Sequence, residues 1–445
     1  MNGLNIPIYP KSQLLRAGQG HTLQYAYRTE QTELDAYLSE LISLGFTPRF
    51  EREACGNYFA TYASDSDYAH IYYVPDTRTV RVISAPLGSL SLPDFIPEDG
   101  VDTDFASSVT QPVLDYYYYD PADPASRSDG NFGACYIVTL DDGSLLVYDG
   151  GGKWGKNDVE RIWSLLKKHG RRNAQNKIVI SGWIITHEHV DHFWCMHHVL
   201  LDHKDEISLK AIYCTPIERE LLLGHSDPSV LYIESPDAMP ALRAAVGEFK
   251  LIRMHTGQIF YVRNAKIEVL CTPEDIFPEL AHRYYDFNDT SAVTRVCAGG
   301  RTLLVLGDAY HVCSHNLVSL WGNTLKSDYC TLAHHGWGGC TRSLYDHVRP
   351  HTVLVPFSRR WIDRILTDET RVRSSGATER WIQWAIDRYG DFHKVTQHVF
   401  FDLLESDSSR FLLADLTTKT LDLATGEVSE TDEDAFQVGC PYKNT

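Results

Sequence analysis

Apolar and polar positions along the chain predict many short strands and a few amphipathic helices. The apolar, β-branched run at 177–186 is typical of a buried strand. The run at 158–169 has an apolar stripe with an acid at its start and basic residues in its last turn, so it predicts a helix. Further helices are predicted at 31–44 and 378–389, and further strands at 57–62, 70–74, 79–84, 266–270, 301–308, 353–356, 399–404 and, as a hairpin, 134–149. Strands and helices mixed in this order predict an α/β chain.

The strand at 177–186 leads into Thr-His-Glu-His-Val-Asp-His, which places four metal-ligating side chains within six residues. Imidazole and carboxylate together suit a borderline ion such as zinc. So short a loop cannot easily wrap four ligands around one tetrahedral ion. We therefore expect His187 and His189 to face one ion and Asp191 and His192 to face a second, as in dinuclear hydrolases.

This stretch resembles the metal signature of the metallo-β-lactamase superfamily. The resemblance covers about residues 110–415 and implies an αββα sandwich with a dinuclear site and a metal-activated hydroxide as nucleophile. It implies that Asp149 orients a ligand histidine and that Asp308, at the end of strand 301–308, bridges the two metals. It also implies that His335 completes the ligand set of the second metal. His334 is then either the alternative ligand or a contact to substrate. The expected ions are zinc, manganese or iron.

Two further segments, at 288–291 (Asn-Asp-Thr-Ser) and 332–337 (Leu-Ala-His-His-Gly-Trp), resemble the branch typified by the hydrolase domain of the ComEC DNA-uptake proteins. Many superfamily members carry one more histidine between the first cluster and the bridging aspartate. The histidines of that interval lack the expected strand-end setting, and Gly224-His225 is the only local match. We expect water or a contact from Asn288 or Asp289 to complete the first ion's shell, unless the tetrad is a capped turn. The histidines concerned are His197, His198, His203, His225, His255 and His282.

Length and segment pattern predict a division into domains. With 445 residues, the chain divides into a small α+β domain of unknown role at 1–105, the hydrolase domain at 106–420 and an acidic tail at 421–445. The proline- and acid-containing stretch at 86–104 is the predicted linker. No apolar run is long enough to span a membrane and the N-terminus lacks a signal-peptide core. Ten cysteines without a Cys-x-x-Cys pair suit a reducing cytoplasm.

Charge limits the choice of substrate. The chain has 41 Lys and Arg against 59 Asp and Glu, a formal balance of −18, whereas nucleic-acid binding depends on basic surfaces. A small phosphodiester is therefore the predicted substrate, with nucleic acid less favoured and the run at 116–119 (four tyrosines) available for stacking. Asp191 and His334 are the predicted catalytic residues, the first as ligand and proton relay, the second as donor to the leaving group. The alternatives are a lactone, amide or thioester hydrolase, a non-catalytic metal-binding or sensing protein and, least favoured, di-iron redox chemistry.

Overall fold

Three β-sheets with flanking helices make up the described part of the chain. The computed structural model describes residues 13–17, 23–87, 90–114, 133–152, 158–216, 238–276, 287–336, 339–356, 407–414 and 417–431. Several predicted features lie outside these residues: His225, His282, the tyrosines at 116–119, the helix at 378–389 and the strand at 399–404.

A nine-stranded sheet contains the strand that precedes the histidine cluster. Its order is β13-β12-β10-β9-β8-β7-β21-β22, with β11 also beside β10, and strands β9, β10, β12 and β13 run parallel. Parallel strands buried on both faces read as continuous apolar runs, which is why 177–186 was recognisable. The bounds are β7 Ser108–Gln111, β8 Cys135–Thr139, β9 Leu145–Asp149, β10 Ile178–Ile184, β11 Ile207–Leu209, β12 Ala211–Cys214, β13 Lys250–Arg253, β21 Thr418–Asp422 and β22 Val428–Thr431.

A seven-stranded sheet contains the strand that leads to Asp308. Its order follows the chain from β14 to β20. The pairs from β14 to β17 are antiparallel, and the pairs from β17 to β20 are parallel. The bounds are β14 Ile259–Val262, β15 Ala265–Cys271, β16 Val293–Ala298, β17 Arg301–Val305, β18 Tyr329–Thr331, β19 Thr352–Val355 and β20 Phe411–Leu413. Its parallel half therefore directs the carboxyl ends of β17 and β18 to one edge.

The two sheets pack face to face with helices on their outer faces. One apolar cluster, which includes Tyr148, Phe260 and Val305, fills the space between them. A second cluster joins the nine-stranded sheet to its helices, and a third joins the seven-stranded sheet to its helices. The αββα sandwich predicted from the resemblance is therefore confirmed. The helices are α2 Asp158–His169, α3 Val190–Asp202, α4 Ala238–Val246, α5 His311–Trp321 and α6 Arg342–Val348.

The N-terminal region forms a six-stranded antiparallel sheet with one helix, in the order β1-β2-β6-β5-β4-β3. The predicted helix and three strands are present, and three further strands precede or follow that helix. The strand at 47–54 was missed because it is mostly polar, whereas the alternation of Leu23, Tyr25 and Tyr27 at 23–28 was overlooked. The bounds are β1 Gln13–Ala17, β2 Leu23–Arg28, α1 Gln31–Ser43, β3 Thr47–Ala54, β4 Asn57–Ala63, β5 Asp67–Val74 and β6 Thr79–Pro86.

Both faces of this N-terminal sheet are covered. On one face, α1 packs Leu34, Tyr37 and Leu41 into an apolar cluster with the strands. The other face packs on the sandwich, where the rings of Phe59 and Trp321 stack with centroids 5.3 Å apart. The side chain of Asn57 also donates to the Leu320 carbonyl at 3.1 Å. The N-terminal sheet is therefore fixed to the sandwich by a packed interface.

A buried polar cluster lies inside that interface. The His70 ring stacks on that of His255 at 4.8 Å and donates from Nε2 to the Thr256 carbonyl at 2.9 Å. Burial and the neighbouring His255 lower the pKa of His70 to about 3, so it is neutral. His255 Nδ1 lies 2.9 Å from the Glu274 carboxylate, which also accepts from Arg253 at 2.9 Å. Each buried polar group thus has a partner, as burial requires.

The C-terminal hairpin corrects one predicted boundary. The predicted start of the acidic tail at residue 421 falls inside β21, which pairs with β7 and β22. Leu421 and Leu423 are buried, and this apolar alternation was hidden by the many acids around it. The sheet therefore continues to Thr431, while the division into domains stays a prediction. Among the described residues, no helix has the length and apolar character needed to cross a bilayer.

Glu274→Gln tests the buried cluster. Removing the charge leaves Arg253 buried without its ionic partner, so we expect the free energy of unfolding at pH 7 to fall by about 3–5 kcal/mol. Burial raises the pKa of Glu274, but His255 and Arg253 outweigh it and hold that pKa at about 2. The carboxylate therefore stabilises the fold above its ordinary pKa of 4.5, and this contribution is lost as pH falls toward 2.

Urea denaturation of the wild type and the variant across that pH range measures both effects. Glu248→Gln, at a side chain 92% exposed, is the matched control. A loss in Glu274→Gln no larger than in the control would show that the cluster does not stabilise the interface.

Candidate metal centre

Three loops from the two sheets meet at one edge of the sandwich. The loop after β10 and the first turn of α3 carry the histidine cluster, the loop after β17 carries Asp308, and the loop after β18 carries His334 and His335. The Ala292 amide donates to the Thr186 carbonyl at 2.7 Å and so joins the two sheets beside these loops. Carboxyl ends of parallel strands are where α/β folds commonly bind ligands.

His187, His189 and Asp308 form the first group of possible ligands. One ligand atom from each lies within 4.8 Å of the others, and all three residues are buried. His187 Nε2 is 2.9 Å from His189 Nδ1 and 3.8 Å from Asp308 Oδ2. Two imidazole nitrogens and a carboxylate oxygen facing one point form a donor set that suits a divalent transition metal.

Asp191, His192, Asp308 and His335 form the second group, also within 4.8 Å. His192 Nε2 lies 3.2 Å from His335 Nε2 and 3.1 Å from Asp308 Oδ1. His335 Nε2 lies 3.4 Å from both Asp191 Oδ2 and Asp308 Oδ2. Asp308 belongs to both groups, which is the placement that a bridging carboxylate needs. All the predicted ligands are thus brought together in the predicted pairs.

Asp149 holds the second group from behind. Its Oδ2 is 2.8 Å from His192 Nδ1, and its Oδ1 accepts from the Thr186 amide at 2.8 Å. A carboxylate on the far nitrogen of a ligand imidazole fixes the ring and directs Nε2 forward. This is the orienting position that the resemblance implied for Asp149.

The charges of the site favour bound cations. Burial alone raises the pKa of Asp308, but His192 and His335 outweigh it and hold the pKa well below its usual range. Burial lowers the pKa of His335, but Asp308 and Asp191 outweigh it and raise the pKa to about 9. The acids are therefore ionised, and protons on histidine balance them when no metal is bound. A divalent cation would take the place of those protons, so these residues fit the metals that the resemblance implies.

The backbone is strained where the loops meet. His334 and His335 have φ of 47° and 51°, and Asp149 has φ of 54°, in the left-handed region that non-glycine residues seldom occupy. Gly307, also left-handed, lies against Thr186, where an added Cβ would approach the threonine Cβ to 2.8 Å. Such conformations persist only where surrounding contacts enforce them, and they are frequent at functional sites.

The segment at 287–291, which contains the Asn-Asp-Thr-Ser tetrad, combines a turn with contacts to the site. Asp289 Oδ1 accepts from the amides of Tyr310 and Cys313, at 3.2 and 2.9 Å, and so caps the first turn of α5. Asn288 instead points to the site, where its Nδ2 donates to His334 Nε2 at 3.2 Å. Ser291 Oγ accepts from the Asp308 amide at 3.0 Å. The tetrad is a capped turn that also positions two residues of the site.

Phe287 is a site residue that sequence reasoning missed. Its ring centroid lies 4.8 Å from that of His189, beside the first group. Hydrophobic patterning alone could not find it, because an isolated phenylalanine in a loop carries no periodic signal. Of the interval histidines, His255 lies in the domain interface, and His197, His198 and His203 lie on or just after α3. None of these four belongs to either ligand group.

Residues 128–376, more than half of the chain, match the family model described as the metallo-beta-lactamase superfamily. The chain belongs to the metallo-beta-lactamase superfamily. Its fold is that of metal-dependent hydrolases, the superfamily typically binds divalent metals, and the described residues include candidate His and Asp ligand groups. The search of curated proteins gives no match.

Solved structures similar to this superfamily member share little sequence with it. The metallo-beta-lactamase fold protein YhfI from Bacillus subtilis is 12% identical, with 56% of this chain and 86% of that one covered and a TM-score of 0.32. CmlA, a diiron beta-hydroxylase from Streptomyces venezuelae, is 10% identical, with 72% and 55% covered and a TM-score of 0.36. Unliganded yeast PDE1 is 12% identical, with 69% and 97% covered and a TM-score of 0.33. Likenesses of this size say nothing about substrate.

Asp149→Asn tests the orienting carboxylate. The amide keeps the size of the side chain but removes the charge behind His192, so we expect metal affinity to fall by about 10–100-fold. Competition with a chromophoric chelator measures the affinity. Asp202→Asn, at an exposed acid on α3, is the control. Equal affinities in both variants would show that Asp149 does not act on the metal site.

Proposed function

We propose that the chain is a dinuclear hydrolase of small phosphodiesters. In this proposal, His187, His189 and Asp308 hold one divalent cation, and Asp191, His192, His335 and Asp308 hold the other. The observation that supports it most is that Asp308 belongs to both buried ligand groups. Zinc is the proposed ion, with manganese and iron as alternatives, because mixed nitrogen and carboxylate donors suit all three.

The reaction is the addition of water across a phosphodiester, which gives a phosphomonoester and an alcohol. Divalent cations in these two groups would supply Lewis acidity and lower the pKa of water toward neutrality. The protein's part is to fix the ligands through Asp149, Ser291 and the strained loop backbone. Burial of the site also keeps the local dielectric low, which strengthens electrostatic stabilisation of developing charge.

Asp191 and His334 are the residues proposed to act on the substrate side. Asp191 is the more exposed of the two site aspartates, with a side chain 15% exposed against 3% for Asp308, so its carboxylate is open to a proton from water. His334 belongs to neither ligand group. Because Asn288 donates to His334 Nε2, the ring proton of the neutral form lies on Nδ1. We infer that the His334 ring donates a proton to the leaving-group oxygen.

Charge supports a small substrate over a polymer. The balance of −18 opposes the counterion release on which nucleic-acid binding depends. The proposed partner is therefore a small-molecule ester, without a nucleic acid or a membrane, in the cytoplasm. The resemblance of segments 288–291 and 332–337 supports placing the chain in the ComEC-like branch, but the charge separates the proposed substrate from the nucleic acid of that branch.

Asp191→Ala and Asp308→Ala test the mechanism. Each removes a carboxylate from the second ligand group, and Asp308→Ala also removes one from the first. We expect turnover of bis-p-nitrophenyl phosphate to fall by about a thousandfold or more, since several kcal/mol of transition-state stabilisation depend on the metals. Asp202→Ala is the control for loss of an acid on the same helix as Asp191. Full activity in either site variant would overturn the mechanism.

A substrate panel separates the proposal from its alternatives. The metal-loaded protein is assayed with phosphodiesters, lactones, thioesters and amides. Turnover of phosphodiesters that depends on Asp308 supports the proposal. Activity confined to acyl substrates would select an acyl hydrolase, and bound metal without any turnover would select a metal-binding or sensing protein.

A further inference from the structure

Two buried thiols meet beside the candidate metal centre. Cys271 is the last residue of β15, and Cys313 lies in the first turn of α5. Their sulfur atoms are 3.2 Å apart, and both residues are 0% exposed. A disulfide has a sulfur–sulfur distance of about 2.05 Å, so the two atoms need to approach by only about 1.2 Å.

The pair is set apart from the other cysteines nearby. Cys340 donates to the Ala309 carbonyl at 3.4 Å, and Cys330 lies in β18. Within the described residues, neither Cys271 nor Cys313 belongs to a group of possible metal ligands. The contact with Cys313, together with burial, raises the pKa of the Cys271 thiol. The pair is therefore a dithiol at neutral pH, and its reaction with an oxidant is slow.

Cys313 is also connected to the site through its backbone. Its amide donates to Asp289 Oδ1 at 2.9 Å. Two neighbours of Asp289 in sequence contact the site. Asn288 donates to His334, and Ser291 accepts from the Asp308 amide. A displacement of the first turn of α5 therefore acts on the segment that holds both site residues.

We propose that Cys271 and Cys313 are a redox-active pair whose disulfide form binds divalent metal more weakly at the candidate metal centre. Bond formation draws Cys313 toward β15 and pulls its amide from Asp289. The turn at 287–290 then loses the hydrogen bond that joins it to α5. The neighbouring Ser291, which accepts from the Asp308 amide, is held less firmly as a result. The effect on metal binding rests on the proposed function, whereas formation of the disulfide does not.

The proposed oxidant is a small-molecule disulfide such as oxidised glutathione. One protein thiolate attacks it, which forms a mixed disulfide and releases one glutathione thiol. The second protein cysteine then attacks the mixed disulfide, which forms the Cys271–Cys313 bond and releases the second thiol. The protein loses two electrons and two protons, and both appear in the two glutathione molecules.

Peptide mapping tests the disulfide. The full chain is equilibrated over days in mixtures of reduced and oxidised glutathione, free thiols are alkylated, and proteolytic peptides are analysed by mass spectrometry. We expect one linked peptide pair, containing Cys271 and Cys313, in the wild type and in the control Cys330→Ala. We expect none in Cys271→Ala. A wild type without this link at any ratio, or with other cysteines linked instead, would overturn the assignment.

Titration with Mn²⁺ tests the coupling, because manganese prefers oxygen and nitrogen ligands over thiolates. We expect the oxidised wild type to bind Mn²⁺ at least about tenfold more weakly than the reduced protein. A loss of this size is typical when a group that holds a metal ligand in place is removed. Cys271→Ala should bind equally in both buffers. Equal affinity of the linked and reduced wild type would overturn the coupling. If Mn²⁺ does not bind to either form, the same titration is made with Zn²⁺. Absence of binding of both ions would overturn the proposed metal centre together with the coupling, while the peptide map still decides the disulfide.

Discussion

The Asp308 carboxylate is the group on which both halves of the site depend. It is buried and ionised, an arrangement that is expensive unless cationic partners surround it. His192 and His335 supply that charge in the absence of metal. Asp308 supplies the one carboxylate of the first ligand group, and it joins Asp191, His192 and His335 in the second. The rest of the sandwich can be understood as the scaffold that brings the three loops to this one anion.

The scaffold holds Asp308 through contacts from both sheets. Ser291 accepts from its amide, and Gly307 lies close against Thr186 of the opposite sheet. Thr186 is in turn held by Asp149, which also orients His192. The N-terminal sheet packs against α5, where Phe59 stacks on Trp321. The packing of that sheet therefore supports, from outside the sandwich, the helix whose first turn Asp289 caps.

Much of this arrangement could be predicted because it depends on local signals. The run at 177–186 and the histidines that follow it are contiguous in sequence, and the spacing of His187, His189, Asp191 and His192 already separated two pairs. Both bounds of helix α2 were predicted, because its apolar stripe and the charged residues at its two ends indicate the same segment. Asp308 and His335 could be proposed only through the family resemblance, since nothing local marks them as neighbours of the histidine cluster.

The remaining features depend on tertiary contacts that leave no local pattern. Phe287 against His189, the cap from Asp289 to α5 and the sulfur contact of Cys271 with Cys313 each join segments that are distant in sequence or lie in loops. Residues 421–431 of the hairpin were assigned to the acidic tail because most of them are polar or acidic, while only Leu421 and Leu423 are apolar and buried. His255 likewise contacts Tyr68 and His70, which are distant from it in sequence.

Metal content tests the central claim most directly. The purified chain is stripped with chelator, reloaded with zinc, freed of excess ion and analysed for bound metal per chain by elemental analysis. The account predicts two ions in the wild type and one in His335→Ala, whose lost nitrogen belongs only to the second group. One ion or none in the wild type would contradict a dinuclear site built around Asp308.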